Sequence, residues 1–328
     1  MRLIKYTATI LVVLLLSISC QKNPIQEQIE ITNDNACWLS NATQLFLYDL
    51  NGNTLMSYND LEYTSDLAVN PHTRDLWAAR PPAGQLVKYS AAGNQVKAVN
   101  GFVFPISISI NYDTGDIWVA DRDLGQVVVL DQLGNEIARI VGFKSPTSVS
   151  VCAADGAAWV ADPDNGQVYH ITAPYYSIIP VRLPGDMNVN LVAGNQMDGS
   201  CWAYNESAPG SGMLTKLNAN GSEVLSVNGI KSPRSMEVSY ISDDSTLWVA
   251  DSGNNRILKL DSNGNTLVNL YDFYNPSDVS VDQSDGSCWA AIMGMNQVVY
   301  FNLTGDVLLS TESIPSPLQV AAMPVLSP

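Results

Sequence analysis

WVADSGNNRILKLDSNG, residues 248–264, decides the fold. It holds two short apolar runs, WVA and RILKL, separated by a polar turn and closed by DSNG, with no helical spacing in either run. The chain writes this unit seven times, and every Trp belongs to a copy. Trp38, Trp77, Trp118, Trp159, Trp202, Trp248 and Trp289 follow one another at 39, 41, 41, 43, 46 and 41 residues. A fixed period near forty is settled before any other feature, because missing it misassigns the whole fold.

After each Trp comes a second run (QLFLYDL, QLVKYSA, QVVVLDQ, QVYHITA, GMLTKLN, RILKLDS, QVVYFNL) and then a turn. Gly52, Gly93, Gly134, Gly221, Gly264 and Gly305 supply the positive φ of these turns, and the fourth copy alone, with APYYS, lacks the glycine. A third run such as NTLVNL follows, and then a fourth opened by Pro or a polar residue: PISISI, PTSVSV, PRSMEV, PSDVSV. Four short period-two strands per unit make a β-propeller blade. The first Trp unit has no inner strand ahead of it, whereas the last is followed by an orphan, Pro317–Met323, of the inner-strand type. The expected fold is therefore all-β: a seven-bladed propeller of four-stranded antiparallel blades, its ring closed by the C-terminal strand so that no edge stays open. Six blades, with Ile29–Ile31 as a decorating strand, is the alternative.

The copy VADSGNNRILKLDSNGNTL resembles an NHL repeat, as do VADPDNGQVYHI (160–171) and VADRDLGQVVVLDQLGN (119–135). A Trp in every second strand is also similar to the seven-bladed virginiamycin B lyase-like propellers. Both resemblances imply a propeller. The lyases that they include are metal enzymes using histidines in the funnel. This chain has only His72, expected in a hairpin on the opposite face, and His170, expected in an outer strand, so those activities are not carried over.

MRLIKYTATILVVLLLSISC opens the chain. Arg2 and Lys5 precede an apolar run too short to span a bilayer, followed by small residues. The segment resembles a lipoprotein signal whose lipidated cysteine would be Cys20. This implies a signal peptide over 1–19, a tether over 20–35, and a propeller over 36–328 hung from a membrane of a bacterial cell envelope. Gln21 and Lys22, with no Asp, favour the outer membrane. Ordinary cleavage, giving a periplasmic or extracellular protein, is the alternative. Removal of residues 1–19 takes two basic residues and no acidic one, moving the net charge from −16 to −18. A surface so acidic excludes nucleic acid and anionic headgroups as partners, leaving a glycan, peptide or protein.

Cys37, Cys152, Cys201 and Cys288 are expected as buried single thiols, three of them standing immediately before a repeat Trp. The Trp itself is expected to wedge neighbouring blades. Three residues after each Trp come Asn41, Arg80, Asp121, Asp162, Asn205, Asp251 and Ile292, for which turn chemistry is the leading expectation and a role at the channel mouth the second. Asp162-Pro-Asp164-Asn165-Gly166 suggests a calcium loop but lacks the distal bidentate acid. The inner strands line the channel, and their polar positions, Asp66, Ser107, Ser148, Asn188, Ser235, Asp278 and Gln319, then Glu237 two residues deeper, are the place to seek function. Asp66, Arg80, Ser107, Ser148, Asn188, Glu237 and Asp278 are the candidate ligand-binding residues. No nucleophile is paired with a base, so no catalytic residue is assigned. No cofactor is expected, calcium being the one cation such a carboxylate funnel would suit. An envelope binding module is the leading expectation, and a divergent metal-dependent hydrolase or lyase with its carboxylates at the channel mouth is the alternative.

Overall fold

The computed structural model describes residues 35–59, 62–183, 188–206, 208, 211–241, 245–311 and 314–324. The signal segment, Cys20, almost all of the tether and Ile29–Ile31 lie outside these residues.

Seven four-stranded antiparallel sheets form the ring. Blade 1 contains Trp38 and blade 7 contains Trp289. In blade 3 the innermost strand is Pro105–Ile110, the second is Ile117–Asp121, the third Gln126–Leu130 and the outermost Glu136–Val141. Blade 1 takes its innermost strand, Gln319–Ala322, from the end of the chain, and pairs it with Asn35–Ser40 through Cys37↔Ala322, Trp38↔Ala321, Leu39↔Val320 and Ser40↔Gln319. The count is thus seven, and six blades is excluded.

Each sheet has a leading face turned to the next blade and a trailing face turned to the previous one. The Trp lies on the leading face and packs on the trailing-face apolar residues of the next innermost strand. Trp118 meets Val149 and Val151, Trp77 meets Ile108 and Ile110, and Trp248 meets Val279 and Val281. Side chains opposite the Trp on the third strand strengthen the seam. The ammonium of Lys259 sits 4.9 Å from the centre of the Trp248 ring and donates to the Leu303 carbonyl at 2.8 Å, in the turn of blade 7. His170 stacks on Trp159 at 4.2 Å in the corresponding place. Gly134, at φ 78°, brings its turn against Trp77, where an added Cβ would lie 2.7 Å from the ring.

In blade 5 the structure corrects the sequence alignment. Asp66, Ser107, Ser148, Ser235 and Asp278 all pair with the residue two after their Trp: Ala79, Ala120, Ala161, Ala250 and Ala291. In blade 5 that partner, Tyr204, pairs with Leu191, because a bulge around Asn190 lengthens the strand. Asn188 pairs with Glu206, beyond the end of the ring of equivalent positions, and is exposed.

Candidate functional site

The innermost strands are hydrogen-bonded to their own blade on one side only, so their other edge faces the axis with unpaired amides. The polar side chains of the alternating pattern meet this need, because they share the leading face with the Trp and reach the next innermost strand. The Ile108 N–H donates to Asp66 Oδ2 at 2.7 Å, Val149 N–H to Ser107 Oγ at 3.3 Å, and Val192 N–H to Ser148 Oγ at 3.2 Å. One step deeper, Val151 N–H donates to Ser109 Oγ at 3.0 Å, Gly194 N–H to Ser150 Oγ at 2.8 Å, Val281 N–H to Glu237 Oε2 at 2.9 Å, and Ala322 N–H to Ser280 Oγ at 3.1 Å. Across the closure Val320 N–H donates to Asp278 Oδ2 at 2.8 Å. The serine and carboxylate ring is therefore the lacing of the channel wall, with side chains doing between blades what ladder bonds do within them.

Inside this wall lies a cavity of about 650 Å³. We call the face where the chain enters the innermost strands the near face. Asp66, Ser107, Ser148, Asp278 and Arg234 lie toward it, and Glu237 lies midway along the channel. Among the sequence candidates, Arg80 and Asn188 do not line the cavity. The far face is bridged. Tyr112 of blade 3 and Tyr240 of blade 6 meet edge to face across the channel at 5.7 Å, and His72 of blade 2 lies 5.8 Å from Tyr112. Gln196 of blade 5 pins this arrangement, donating to the Ile110 carbonyl at 3.2 Å and accepting from the Tyr112 N–H at 2.7 Å. Gln283 likewise donates to the Val238 carbonyl at 2.9 Å and accepts from the Tyr240 N–H at 3.2 Å. Sequence reasoning missed Tyr112, Gln196, Tyr240 and Gln283. They occupy one equivalent position, two residues past the innermost strand's partner of the residue before the Trp. Copy-by-copy alignment shows that position varying through Pro71, Tyr112, Ala153, Gln196, Tyr240, Gln283 and Pro324.

Three carboxyl groups line the cavity together with the Arg234 guanidinium. Burial pushes Asp66 up to about 7 against the pull of the Ile108 and Leu67 amides, and pushes Glu237 up to about 7 against that of Val281. Asp278 is raised well above the usual range by burial, with the charges of Asp66 and Glu237 adding to the effect. Burial also raises Tyr240, assisted by Glu237. Such groups bind protons more tightly in the native state than unfolded, where they titrate at 3.8 for Asp and 4.5 for Glu, so stability falls as pH rises from there to about 7. Asp49, Asp131, Asp261 and Asp306 are lowered, and their contribution is lost in the opposite direction, as pH falls below 3.8. We predict that the urea midpoint declines between about pH 5 and about pH 8, and that Glu237→Gln reduces this decline. A midpoint that holds or rises over that range in the native sequence contradicts the assignment.

Among the described residues, no three His, Cys, Asp or Glu side chains come together to hold a metal. His170 is occupied against Trp159, and the four described cysteines are free, buried, and raised by that burial.

A family model described as "SMP-30/Gluconolactonase/LRE-like region" matches residues 116–327. No curated protein matches the chain in sequence. Solved structures share the fold at low identity. The Kuenenia stuttgartiensis hydrazine synthase superimposes with TM-score 0.65 at 13% identity, covering 79% of this chain and 89% of that one. Virginiamycin B lyase from Staphylococcus aureus gives 0.62 at 11%, covering 78% and 87%. The dihydro-heme d1 dehydrogenase NirN gives 0.64 at 12%, covering 90% and 67%.

Proposed function

The chain belongs to the SMP-30/gluconolactonase/LRE-like family, and on that premise we propose that it is an exported propeller, anchored through Cys20, that serves as a binding module. A polar group of a glycan, peptide or protein enters the channel from the near face. The observation that carries this reading is the lacing of the wall: Asp66, Glu237 and Asp278 and the hydroxyls of Ser107, Ser109, Ser148, Ser150 and Ser280, which a catalytic funnel would aim at a substrate, each accept from an amide of the next blade, and Ser235 donates to the Val279 carbonyl. What remains is a blind pocket with a bridged floor, suited to holding a group rather than transforming it.

A second reading, a carboxylate-dependent hydrolase or lyase, is favoured by the family's description and by the three raised carboxyls. Were calcium bound, Asp66, Glu237 and Asp278 would be the acidic donors that the described residues bring to the cavity, and it would polarise a carbonyl oxygen. Their commitment to amides and their failure to converge fit that role poorly. The test is a glycan and peptide array probed with the purified protein, alongside a lactone panel with and without calcium. We expect saturable array binding weakened by Asp66→Ala, and no turnover. Calcium-dependent turnover abolished by Asp278→Ala would replace this reading with the second. Palmitate labelling in the native bacterium, lost on Cys20→Ala, checks the anchor, and labelling retained by that variant removes it.

A further inference from the structure

In blades 3, 4 and 6 the residue three after the Trp is a fully buried Asp that holds the chain leading into its own innermost strand. Asp121 accepts from the Phe104 N–H at 2.8 Å and the Val103 N–H at 3.2 Å. Asp162 accepts from Lys144 N–H at 2.8 Å and Ser145 N–H at 2.9 Å, and Asp251 from Lys231 N–H at 2.9 Å. Each also takes a side-chain donor: Gln126 Nε2 at 3.1 Å, Asn165 Nδ2 at 2.8 Å, or Arg256 Nε at 2.6 Å. The fold thus builds a pocket for one planar carboxylate at this place.

Blade 2 keeps the backbone of that pocket and reverses its charge. Arg80 pairs with Gln85 as Asp121 pairs with Gln126 and Asp162 with Gln167. Its φ and ψ, −121° and 83°, match the −131° and 87° of Asp162, and each residue opens a short 3-10 turn ending in a left-handed glycine. By register, the amides that an Asp here would hold are those of Glu62 and Tyr63. Among the described residues neither N–H has an acceptor, the Arg80 guanidinium donates to nothing, and its Nε is sealed from solvent without a partner. The donors of the pocket remain, its acceptor is gone, and the residue in the acceptor's place adds more donors. Arg122, Arg139 and Arg256 have carboxylate partners, and Arg182 and Arg234, which form no ion pair among the described residues, stand exposed to solvent, whereas Arg80 is half-buried with its Nε sealed.

We propose that blade 2 carries a carboxylate-binding site, in which Arg80 and the amides of Glu62 and Tyr63 take a ligand's carboxylate in place of the Asp that other blades supply. A guanidinium edge pairs bidentately with a carboxylate or a phosphate, and the carboxylate is favoured here because the equivalent place in blades 3, 4 and 6 is filled by the carboxylates of Asp121, Asp162 and Asp251. The carboxylate belongs to a peptide, at its C-terminus or an acidic side chain, or to a sugar acid. This site lies outside the channel cavity and stands whether or not the channel binds anything.

The experiment is a thermal-shift titration of the full chain with sodium acetate at constant ionic strength, repeated with inorganic phosphate, glucuronate, and a short peptide bearing a free or an amidated C-terminus. For the native sequence Tm rises saturably with acetate, and the free-acid peptide outperforms the amide or glucuronate outperforms both, which identifies the source. Arg80→Asp restores the built-in acceptor, so its Tm without ligand is higher by about 2–4 °C and its saturable response is lost. Arg80→Ala folds, loses the response, and shows no such rise, separating ligand binding from loop anchoring. An acetate response unchanged in Arg80→Asp and Arg80→Ala overturns the site, and a phosphate response exceeding that to acetate overturns its chemical assignment.

Discussion

Deletion of residues 315–328 is expected to abolish cooperative folding of the protein at 25 °C. The deleted strand is short, but it closes the ring. Without Gln319–Ala322 the second strand of blade 1 loses its inner partner over four residues, and Val320, Ala321 and Met323, each no more than 2% exposed, leave the core around Trp38 and Trp289. The blade 7 side chains that lace the seam lose their amides as well: Asp278 loses Val320, Ser280 loses Ala322, and the Ser277 hydroxyl loses the Pro317 carbonyl. Loss of that packing, together with a raw edge, exceeds about 5 kcal/mol, the lower end of the stability that a folded domain has in total. Tryptophan fluorescence against urea reads the result. Val320→Asp is the subtler companion, placing an unpaired charge where only 2% of the side chain is exposed, at a cost of about 3–5 kcal/mol. A truncated protein with an unchanged urea midpoint would mean that the closing strand is decoration and that the ring holds without it.

The architecture was legible because a repeat repeats its physics. One Trp per blade, a glycine turn and a Pro-led inner strand are enough to fix four strands and their order, and the orphan Pro317–Met323 fixed the closure. Register is less legible, since it depends on a bulge. Nothing in NVNLVAG marks Asn190 as the extra residue, and so Asn188 was aligned into the channel ring although it lies outside it. The candidate site was half legible for a different reason. Alternation in PISISI shows that Ser107 and Ser109 share a face, but the face points at the next strand's amides, and that neighbour is some forty residues away. The far-face bridge is hidden further still, because Tyr112 and Tyr240 come from blades three apart and carry no local signature.

Variation among the copies, rather than their consensus, is where chemistry can differ from scaffolding. Ser107, Ser148 and Asp66 do one job with different side chains, so their variation is tolerated substitution within a wall. Arg80 cannot do the job of Asp121 or Asp162, since a donor does not replace an acceptor. A charge reversal at a conserved geometry is therefore stronger evidence for a site than any number of polar residues facing a channel.

Trp118→Ala is expected to cost about 3–5 kcal/mol, read as a fall in urea midpoint at unchanged slope. An indole buries about 150–250 Å², which at about 25 cal/mol per Å² bounds the burial contribution near 4–6 kcal/mol from above. Trp118 is 3% exposed, packs on Val149 and Val151 of blade 4, and meets Tyr176 edge to face at 5.7 Å. It is the cleanest of the seven to test. Trp77, Trp202 and Trp248 lie under lysine ammonium groups, and the lysines also bond to the next blade's turn, so removing those rings would disturb a polar clamp as well as the packing. Opposite Trp118 the third strand offers Val129, so the loss there is packing alone. Trp118→Phe should recover part of the loss, because a smaller ring still separates the sheets. A cost below about 1 kcal/mol for Trp118→Ala would show that blades 3 and 4 are held by their laced inner strands and not by the wedge between them.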